Sequence, residues 1–144
     1  NSGHPLDLNL YQAVKGLSAA SRIVRPGGMI CMAASCWDGI PDHGHFKQLL
    51  ADAESPERIL KTIMNPGFQM QDQWQAQILA QVLQRARVYL YSDHLSDEDI
   101  YNALLTPTHD IPGTISQELQ KIPHPARICV LPEGPQTIPY TVEF

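Results

Sequence analysis

The sequence predicts a single α/β domain, built on a mostly parallel sheet with helices on both of its faces. Short, continuous apolar runs bounded by turn residues have the pattern of strands buried in a parallel sheet. Stretches with helical apolar spacing separate these runs, as in chains that alternate strands and helices. The length of 144 residues suits one domain, because a chain of this size can bury a core without disulfides or metals.

The first predicted element is a helix capped by Asp7 or Asn9, whose side chains can accept hydrogen bonds from first-turn amides. Its apolar residues recur at helical spacing until about Val24, and Pro26 with the two glycines after it ends the helix. The apolar run 28–34 follows directly and predicts a buried strand.

Three further helices are predicted in the middle of the chain, at about 45–53, 56–64 and 72–86. The last of them is the clearest, because it carries one broad apolar stripe. Asp72 and, three residues later, Gln75 resemble a capping box at its start.

The remaining elements continue the alternation of strands and helices. Residues 88–91 predict a strand, and Ser96 opens a short helix after it. A helix at about 113–121 leads to a predicted strand at 127–131, and residues 138–144 predict a possible edge strand.

The predicted strands indicate where a ligand would bind. Parallel sheets bind ligands beyond the carboxyl ends of their strands. The loops expected at that edge are 35–44, 92–95 and 132–136.

The composition excludes several classes of function. The net charge is -5 and the charges form no long runs, which argues against a nucleic-acid partner. No apolar run approaches the roughly 20 residues of a membrane span, so no association with a membrane is expected. Three scattered cysteines, Cys31, Cys36 and Cys129, favour a reducing compartment, and the cytoplasm is the predicted location.

One face of the first helix gathers groups that could bind a small anion. At about 100° per residue, Tyr11, Gln12 and Lys15 fall within one arc roughly a quarter-turn wide. A phenol, an amide and an ammonium together could hold a carboxylate and a neighbouring hydroxyl or carbonyl. Gly16 and Ala19 lie beside them, so a partner surface could approach closely. Spacing alone fits an ordinary solvated helix face equally well.

Four segments of the sequence match a known pattern in the right order. Residues 5–16 read Pro-Leu-Asp-x-Asn-x-Tyr-Gln-x-Val-Lys-Gly, and three shorter segments follow: Pro-Gly-Gly at 26–28, Asp-Gln-Trp-Gln at 72–75 and Leu-Pro-Glu-Gly-Pro at 131–135. Together they resemble the carboxyl-terminal domain of the nickel-dependent lactate racemase family, whose main helix begins with the first motif. The resemblance covers nearly the whole chain.

The resemblance implies an isomerase with two α/β domains and an active site in the cleft between them. Residues 1–144 correspond to the carboxyl-terminal domain. The amino-terminal domain, absent from this chain, is implied to hold a nickel-pincer nucleotide and to supply the histidines that act as general acid and base. A 2-hydroxy acid is then racemised or epimerised by hydride transfer to the cofactor and back. The motifs assign catalytic roles to Lys15 and Gln12, substrate-binding roles to Tyr11 and Trp74, and no metal ligand.

The resemblance also sets expectations about partners. These are the amino-terminal domain of the same protein, across the cleft, and a small 2-hydroxy acid; no cofactor is expected on this chain by itself. The loop-like residues 1–3 are typical of an excised domain. The chain alone is expected to be inactive, because it lacks the cofactor and the acid–base pair. Close relatives are expected to carry an acidic residue before Cys36 and a basic one after it, where this sequence has Ser35 and Trp37. We therefore expect a 2-hydroxy acid without assigning lactate.

Two other interpretations remain open. The chain could be a non-catalytic α/β module that binds a small anion or a protein partner through the same helix face. Cys36, His43 and His45 could form a small metal site, although their spacing matches no standard zinc pattern. The other histidines, at positions 4, 94, 109 and 124, lie in predicted loops without a cysteine or carboxylate at ligand spacing, which predicts solvated side chains.

Overall fold

The structure of this chain is a computed structural model that describes residues 1–122 and 125–140. Helices alternate with strands in these residues, and no helix among them is long and apolar enough to cross a lipid bilayer. The elements, in order, are α1 (Leu10–Ser21), β1 (Gly28–Ala33), α2 (Phe46–Ala51), α3 (Pro56–Ile63), α4 (Gln73–Arg85), β2 (Ala86–Tyr91), α5 (Asp97–Asn102), β3 (Thr106–Pro107), α6 (Ile111–Gln120) and a 3₁₀ turn (Gly134–Gln136).

The described strands form one parallel sheet in the order β1-β2-β3. Gly28 lies opposite Ala86 and Ala33 opposite Tyr91, so β1 and β2 pair over their full length. β3 adds only two residues, with Thr106 opposite Tyr89. The predicted parallel α/β sheet is therefore confirmed, although β2 begins two residues earlier than expected, directly after α4.

Alternate residues of the two long strands face opposite sides of the sheet. Ile30 and Met32 of β1, with Val88 and Leu90 of β2, are buried on the side where α1 and α4 pack. On the opposite face of the sheet, the buried Glu118 of α6 contacts Arg87 of β2. Helices therefore cover both faces of the sheet, as predicted.

The cap of α1 is Asn9, the second of the two candidates. Its Oδ1 accepts a hydrogen bond from the Gln12 main-chain N–H at 3.0 Å. Asp7 instead accepts from the main-chain N–H of Ser35 at 3.3 Å, so its carboxylate holds the loop after β1. The helix ends at Ser21, three residues before the predicted end.

The capping box predicted for α4 is wrong. Asp72 occupies the cap position in the left-handed conformation, with φ 65°, and its side chain makes no capping hydrogen bond. Both side chains of the proposed box are used in contacts with α1: Asp72 accepts from the Tyr11 hydroxyl, and Gln75 donates to the Tyr11 carbonyl. Tertiary contacts with the neighbouring helix have replaced the local cap.

The strand predicted at 127–131 is also wrong. Residues 126–131 have no regular secondary structure, and residues 127–130 are exposed. Residues 138–140 form no strand either, while 141–144 lie outside the described residues. The place beside β2 is taken by Thr106–Pro107, a pair too short to produce a strand pattern in the sequence.

The smaller helices lie close to their predicted positions. α3 begins after Ser55, whose Oγ accepts from the main-chain N–H of Arg58 at 3.3 Å. α5 is capped in the same way by Ser96. α6 begins two residues earlier than expected because Asp110 caps it, accepting from the Gly113 N–H at 2.9 Å.

Candidate functional site

The candidate site lies where the amino-terminal ends of α1 and α4 meet. At this end, Gln75 Nε2 donates to the Tyr11 carbonyl at 2.6 Å. At the other end, Arg85 Nε donates to the Val24 carbonyl at 2.9 Å. The two helices therefore run in parallel, and each leads into one of the paired strands. Since β1 and β2 are parallel, both helix starts lie at the carboxyl edge of the sheet, where ligands of such folds bind.

Tyr11 joins the two helices at this edge. Its ring packs edge-on against Phe46, with centroids 5.4 Å apart and planes at 82°. Its hydroxyl donates to Asp72 Oδ1 at 3.4 Å. Burial raises the pKa of Tyr11, and the nearby Asp72 carboxylate raises it further, while the neighbouring Trp74 lowers it. The phenol therefore stays protonated at neutral pH and serves as a donor.

The Asp72 carboxylate lies directly against the backbone of Gly44. Asp72 is 8% exposed, and a side chain at position 44 would overlap its carboxylate. Gly44 also has φ 75°, a conformation that glycine adopts without strain. Gly44 therefore leaves the space that Asp72 needs to reach Tyr11.

Trp74 is an exposed aromatic group at this edge. Its side chain is 52% exposed, although it begins the helix whose other large apolar residues enter the core. The Tyr11 hydroxyl lies close enough for the indole to influence its pKa. The structure therefore places Tyr11 and Trp74, two of the four predicted site residues, at the starts of two helices that are joined at this edge.

Gln12 and Lys15 lie on the outer side of α1. Gln12 is half-buried and Lys15 is exposed. None of the ion pairs among residues 1–122 and 125–140 involves Lys15. Because Lys15 lies one helical turn after Tyr11, the two side chains project from the same face. Lys15 is thus exposed on the helix face that also carries Tyr11.

A partner surface was expected to approach Gly16, and in the structure a segment of this same chain does so. The 3₁₀ turn packs onto the helix there, and a side chain at Gly134 would lie 3.0 Å from the Gly16 Cα. A side chain at Gly16 would in turn meet Ser2 and Met32, at 3.0 and 3.1 Å. The loop 132–136, predicted at the ligand-binding edge, therefore packs on the side of α1.

The other two predicted loops meet at the carboxyl edge, as expected. Ser92 Oγ donates to the Ser35 carbonyl at 2.8 Å. His94 Nδ1 lies 3.1 Å from the same carbonyl. The same nitrogen lies 3.3 Å from the Ser35 hydroxyl, so two contacts of His94 join the loops. His94 is exposed, as predicted for the loop histidines, but its link to Ser35 was not predicted.

The possible metal site at Cys36, His43 and His45 is not supported. No three His, Cys, Asp or Glu side chains come together as a metal site in the part of the chain that is described. Cys36 is fully buried, and burial raises the pKa of its thiol to about 11. A buried neutral thiol is a poor metal ligand. Position 124, another of the predicted loop histidines, lies outside the described residues.

The sequence did not indicate that Asp72 and Gln75 position the site. Both lie in the Asp-Gln-Trp-Gln segment, which predicted a capping box and resembled a family motif but gave no sign of a contact with Tyr11. Their pairing with Tyr11 spans more than 60 positions, and local patterns cannot show a contact over that separation.

Known proteins match this chain over nearly its whole length. The family model described as lactate racemase C-terminal domain matches residues 1–138. A lactate racemase of Thermoanaerobacterium thermosaccharolyticum is 32% identical over 140 residues, which are 96% of this chain and 33% of the relative. A lactate racemase of Lactiplantibacillus plantarum is 37% identical over 141 residues, covering 93% of this chain and 32% of the relative. The chain thus spans about a third of the length of these relatives.

A solved structure agrees with the sequence matches. The lactate racemase apoprotein from Thermoanaerobacterium thermosaccharolyticum superposes with a TM-score of 0.81 at 31% identity, over 92% of this chain and 32% of that structure. The fold and the sequence therefore point to the same relatives. The chain belongs to the lactate racemase C-terminal domain family.

Proposed function

We propose that this chain is the substrate-orienting domain of an isomerase that racemises or epimerises a 2-hydroxy acid. The observation that carries the proposal is that the start of α1, with Tyr11, Gln12 and the exposed Lys15, is joined to the start of α4, with Trp74, by the hydrogen bond from Gln75 to the Tyr11 carbonyl. These four residues come from two separate motifs that resemble the lactate racemase family, and they share one edge of the domain.

Each side chain has a role that its chemistry supports. Lys15 binds the substrate carboxylate, because an exposed ammonium can approach an anion directly. Gln12 donates a hydrogen bond to the hydroxyl oxygen and to the carbonyl oxygen that replaces it during reaction. Trp74 forms an apolar wall. Tyr11, held by Asp72, fixes the position of that wall.

The hydride acceptor in this proposal is a nickel-pincer nucleotide held outside this chain. The described residues offer no group of three metal-ligating side chains, so they do not fit the role of holding nickel. The general acid and base are likewise assigned to histidines of another domain. The residues of this chain bind the acid, orient its α-carbon and exclude water from it.

The substrate class is proposed only as a small 2-hydroxy acid. The loop after β1 carries Ser35 and Trp37 at positions where charged residues are expected in close relatives, and Trp37 is 58% exposed. Replacing two charges by a hydroxyl and an indole favours a different or larger acid over lactate.

A second candidate is a non-catalytic module that binds a small anion at the same face. The exposed Lys15, outside every described ion pair, favours anion binding whether or not chemistry follows. The two candidates differ in whether the full-length protein interconverts enantiomers.

The test compares the full-length protein, loaded with the nickel cofactor, with its Lys15→Ala variant. Interconversion of D- and L-2-hydroxy acids is followed by chiral chromatography. We expect Lys15→Ala to lose at least about a hundredfold in kcat/KM, the scale of one transition-state contact, with an unchanged Tm. Lys61→Ala, at another exposed lysine, is the matched control and should keep full activity.

Each other outcome has a definite meaning. If the wild-type protein interconverts the enantiomers and Lys15→Ala keeps the wild-type kcat/KM, the proposed activity is correct and the proposed role of Lys15 is wrong. If the protein binds a 2-hydroxy acid through Lys15 without interconverting its enantiomers, the binding-module candidate is correct.

A further inference from the structure

A groove opens between the carboxyl-terminal ends of α1 and α4. Its volume is about 630 Å³, which lies within the range of sites that bind small molecules. Residues 18, 21 and 22, at the end of α1, line one side, and residues 78, 81, 82 and 85 of α4 line the other. Both helices begin at the carboxyl edge of the sheet. The groove therefore lies at the opposite edge, away from the candidate site.

Two arginines from different helices line this groove. Arg22 is the cap residue of α1, and Arg85 is the last residue of α4. Arg85 Nε donates to the Val24 carbonyl at 2.9 Å, which holds the guanidinium beside the end of α1 and uses one of its five N–H donors. Both side chains are exposed, and neither forms an ion pair with another described residue.

The groove is positively charged although the chain as a whole has a net charge of -5. None of the 15 acidic residues of the chain lies at 8–37 or 73–92, the stretches that contain α1, β1, α4 and β2. The carboxyl end of each helix contributes about half a negative charge, so the two ends together offset about one arginine. The second guanidinium leaves an excess of about one positive charge in the groove.

The other groups in the groove suit a small organic anion. The Ser18 hydroxyl and the Gln81 amide are neutral hydrogen-bond donors. Ile78 and the buried Val82 add apolar surface beside them. A ligand that combines an anionic group with an apolar part would therefore find a partner for each.

A phosphate group matches the two arginines better than a single carboxylate does. Packed helices lie about 8–10 Å apart, so long side chains from both can converge on one group between them. A phosphate ester carries close to two negative charges and three terminal oxygens, and it can accept from two guanidiniums at once. We propose that the groove between Arg22 and Arg85 binds a small phosphate ester with an apolar substituent.

Isothermal titration calorimetry of the full-length protein with phenyl phosphate tests this site. We expect saturable one-to-one binding. Arg22→Gln and Arg85→Gln should each weaken it at least about tenfold, the scale of a charge-assisted hydrogen bond. Arg25→Gln is the matched control, because Arg25 is exposed three positions after Arg22 but does not line the groove. Its affinity should stay within about twofold of the wild type.

Three results of the titration overturn the proposal. One is the absence of binding to the wild-type protein. Another is equal weakening by all three variants, which shows attraction to diffuse surface charge. The third is tighter binding of phthalate than of phenyl phosphate, which assigns the groove to dicarboxylates.

A second measurement locates the ligand without any variant. Phenylglyoxal modifies exposed guanidiniums, and peptide mass spectrometry gives the rate at each arginine. Saturating phenyl phosphate should slow the modification of Arg22 and Arg85 at least about tenfold and leave Arg25 and Arg58 unchanged. Equal protection of all four arginines overturns the site. Because the groove lies at the far edge of the sheet, neither measurement depends on whether the protein interconverts 2-hydroxy acids.

Discussion

At the scale of single residues, the geometry of the candidate site depends on Asp72. Its backbone has a left-handed conformation and its side chain is nearly buried. The carboxylate accepts a hydrogen bond from the Tyr11 hydroxyl and lies against Gly44. The sequence placed Asp72 at the start of α4 correctly but gave it the wrong partner. Local spacing indicates which amides a carboxylate can reach in its own helix, and it cannot show that a phenol from another helix competes for it.

The role of Gly44 predicts an asymmetry between two glycines of the same loop. Gly44→Ala should lower the free energy of unfolding by about 2–4 kcal/mol, because it adds an overlap with Asp72 to the strain of a positive φ. Gly39→Ala is the control, since Gly39 has φ 66° but no atom within 4 Å of the added carbon. It should cost only about 1 kcal/mol. Urea denaturation measures both, and equal losses would show that Asp72 moves away freely.

Two cysteines are expected to differ in their reactivity towards alkylation. Cys36 should resist alkylation by iodoacetamide at about pH 8, because burial raises the pKa of its thiol to about 11 and only the thiolate reacts. Cys129 is exposed and should react quickly. Mass spectrometry of the labelled peptides distinguishes them. Comparable labelling of Cys36 under native conditions would contradict its buried position.

At the scale of the elements, α6 is fixed to the sheet by one buried carboxylate. Glu118 is 2% exposed, and its Oε1 accepts from Tyr89 at 3.0 Å and from Lys121 at 2.6 Å. Arg87 Nη2 lies 2.6 Å from Oε2, as a charge contact without hydrogen-bond alignment. The sequence predicted α6 but not its anchor, because a glutamate in a helix is usually solvated.

This anchor makes the stability of the chain depend on pH. The Lys121 hydrogen bond, against the opposing effect of burial, and then Tyr89 and Arg87 lower the pKa of Glu118 from its usual 4.5. Because the folded pKa lies below the unfolded one, the stabilisation is complete above about pH 4.5 and is lost as the pH falls through the folded pKa.

Glu118→Gln tests this effect. At pH 7 it should lower the free energy of unfolding by about 1–3 kcal/mol, and the difference from wild type should shrink as the pH falls below 4.5. Glu54→Gln, at an exposed surface pair, should change stability by less than about 0.5 kcal/mol at any pH. Urea denaturation at several pH values gives the result. A constant difference between Glu118→Gln and wild type would refute the assignment.

Some helices and strands could be predicted from the sequence and others could not. The helices α1 and α4 and the strand β1 carry their patterns within themselves, because each buries one face or its whole length in this domain. Residues 127–131 carry a strand pattern but pair with no strand among the described residues. A pattern shows what a segment can form, and only the available partners decide whether it forms.

At the scale of the whole molecule, function is expected to require more than this chain. In the proposed function, the hydride acceptor and the acid–base histidines come from outside it. The 144-residue chain should therefore not interconvert D- and L-2-hydroxy acids, even with nickel salts added. Chiral chromatography after long incubation checks this. Enantiomer interconversion that copurifies with the chain would show that its own residues carry the chemistry.

The parallel packing of α1 and α4 has an electrostatic consequence for the site. Each helix carries about half a positive elementary charge at its amino-terminal end, from aligned peptide dipoles. The Gln75–Tyr11 hydrogen bond holds the two ends together, so the backbone contributes about one positive charge beside Asp72. This fixed charge compensates the buried carboxylate without consuming a cationic side chain. Asp72 therefore does not need Lys15 as an ion-pair partner.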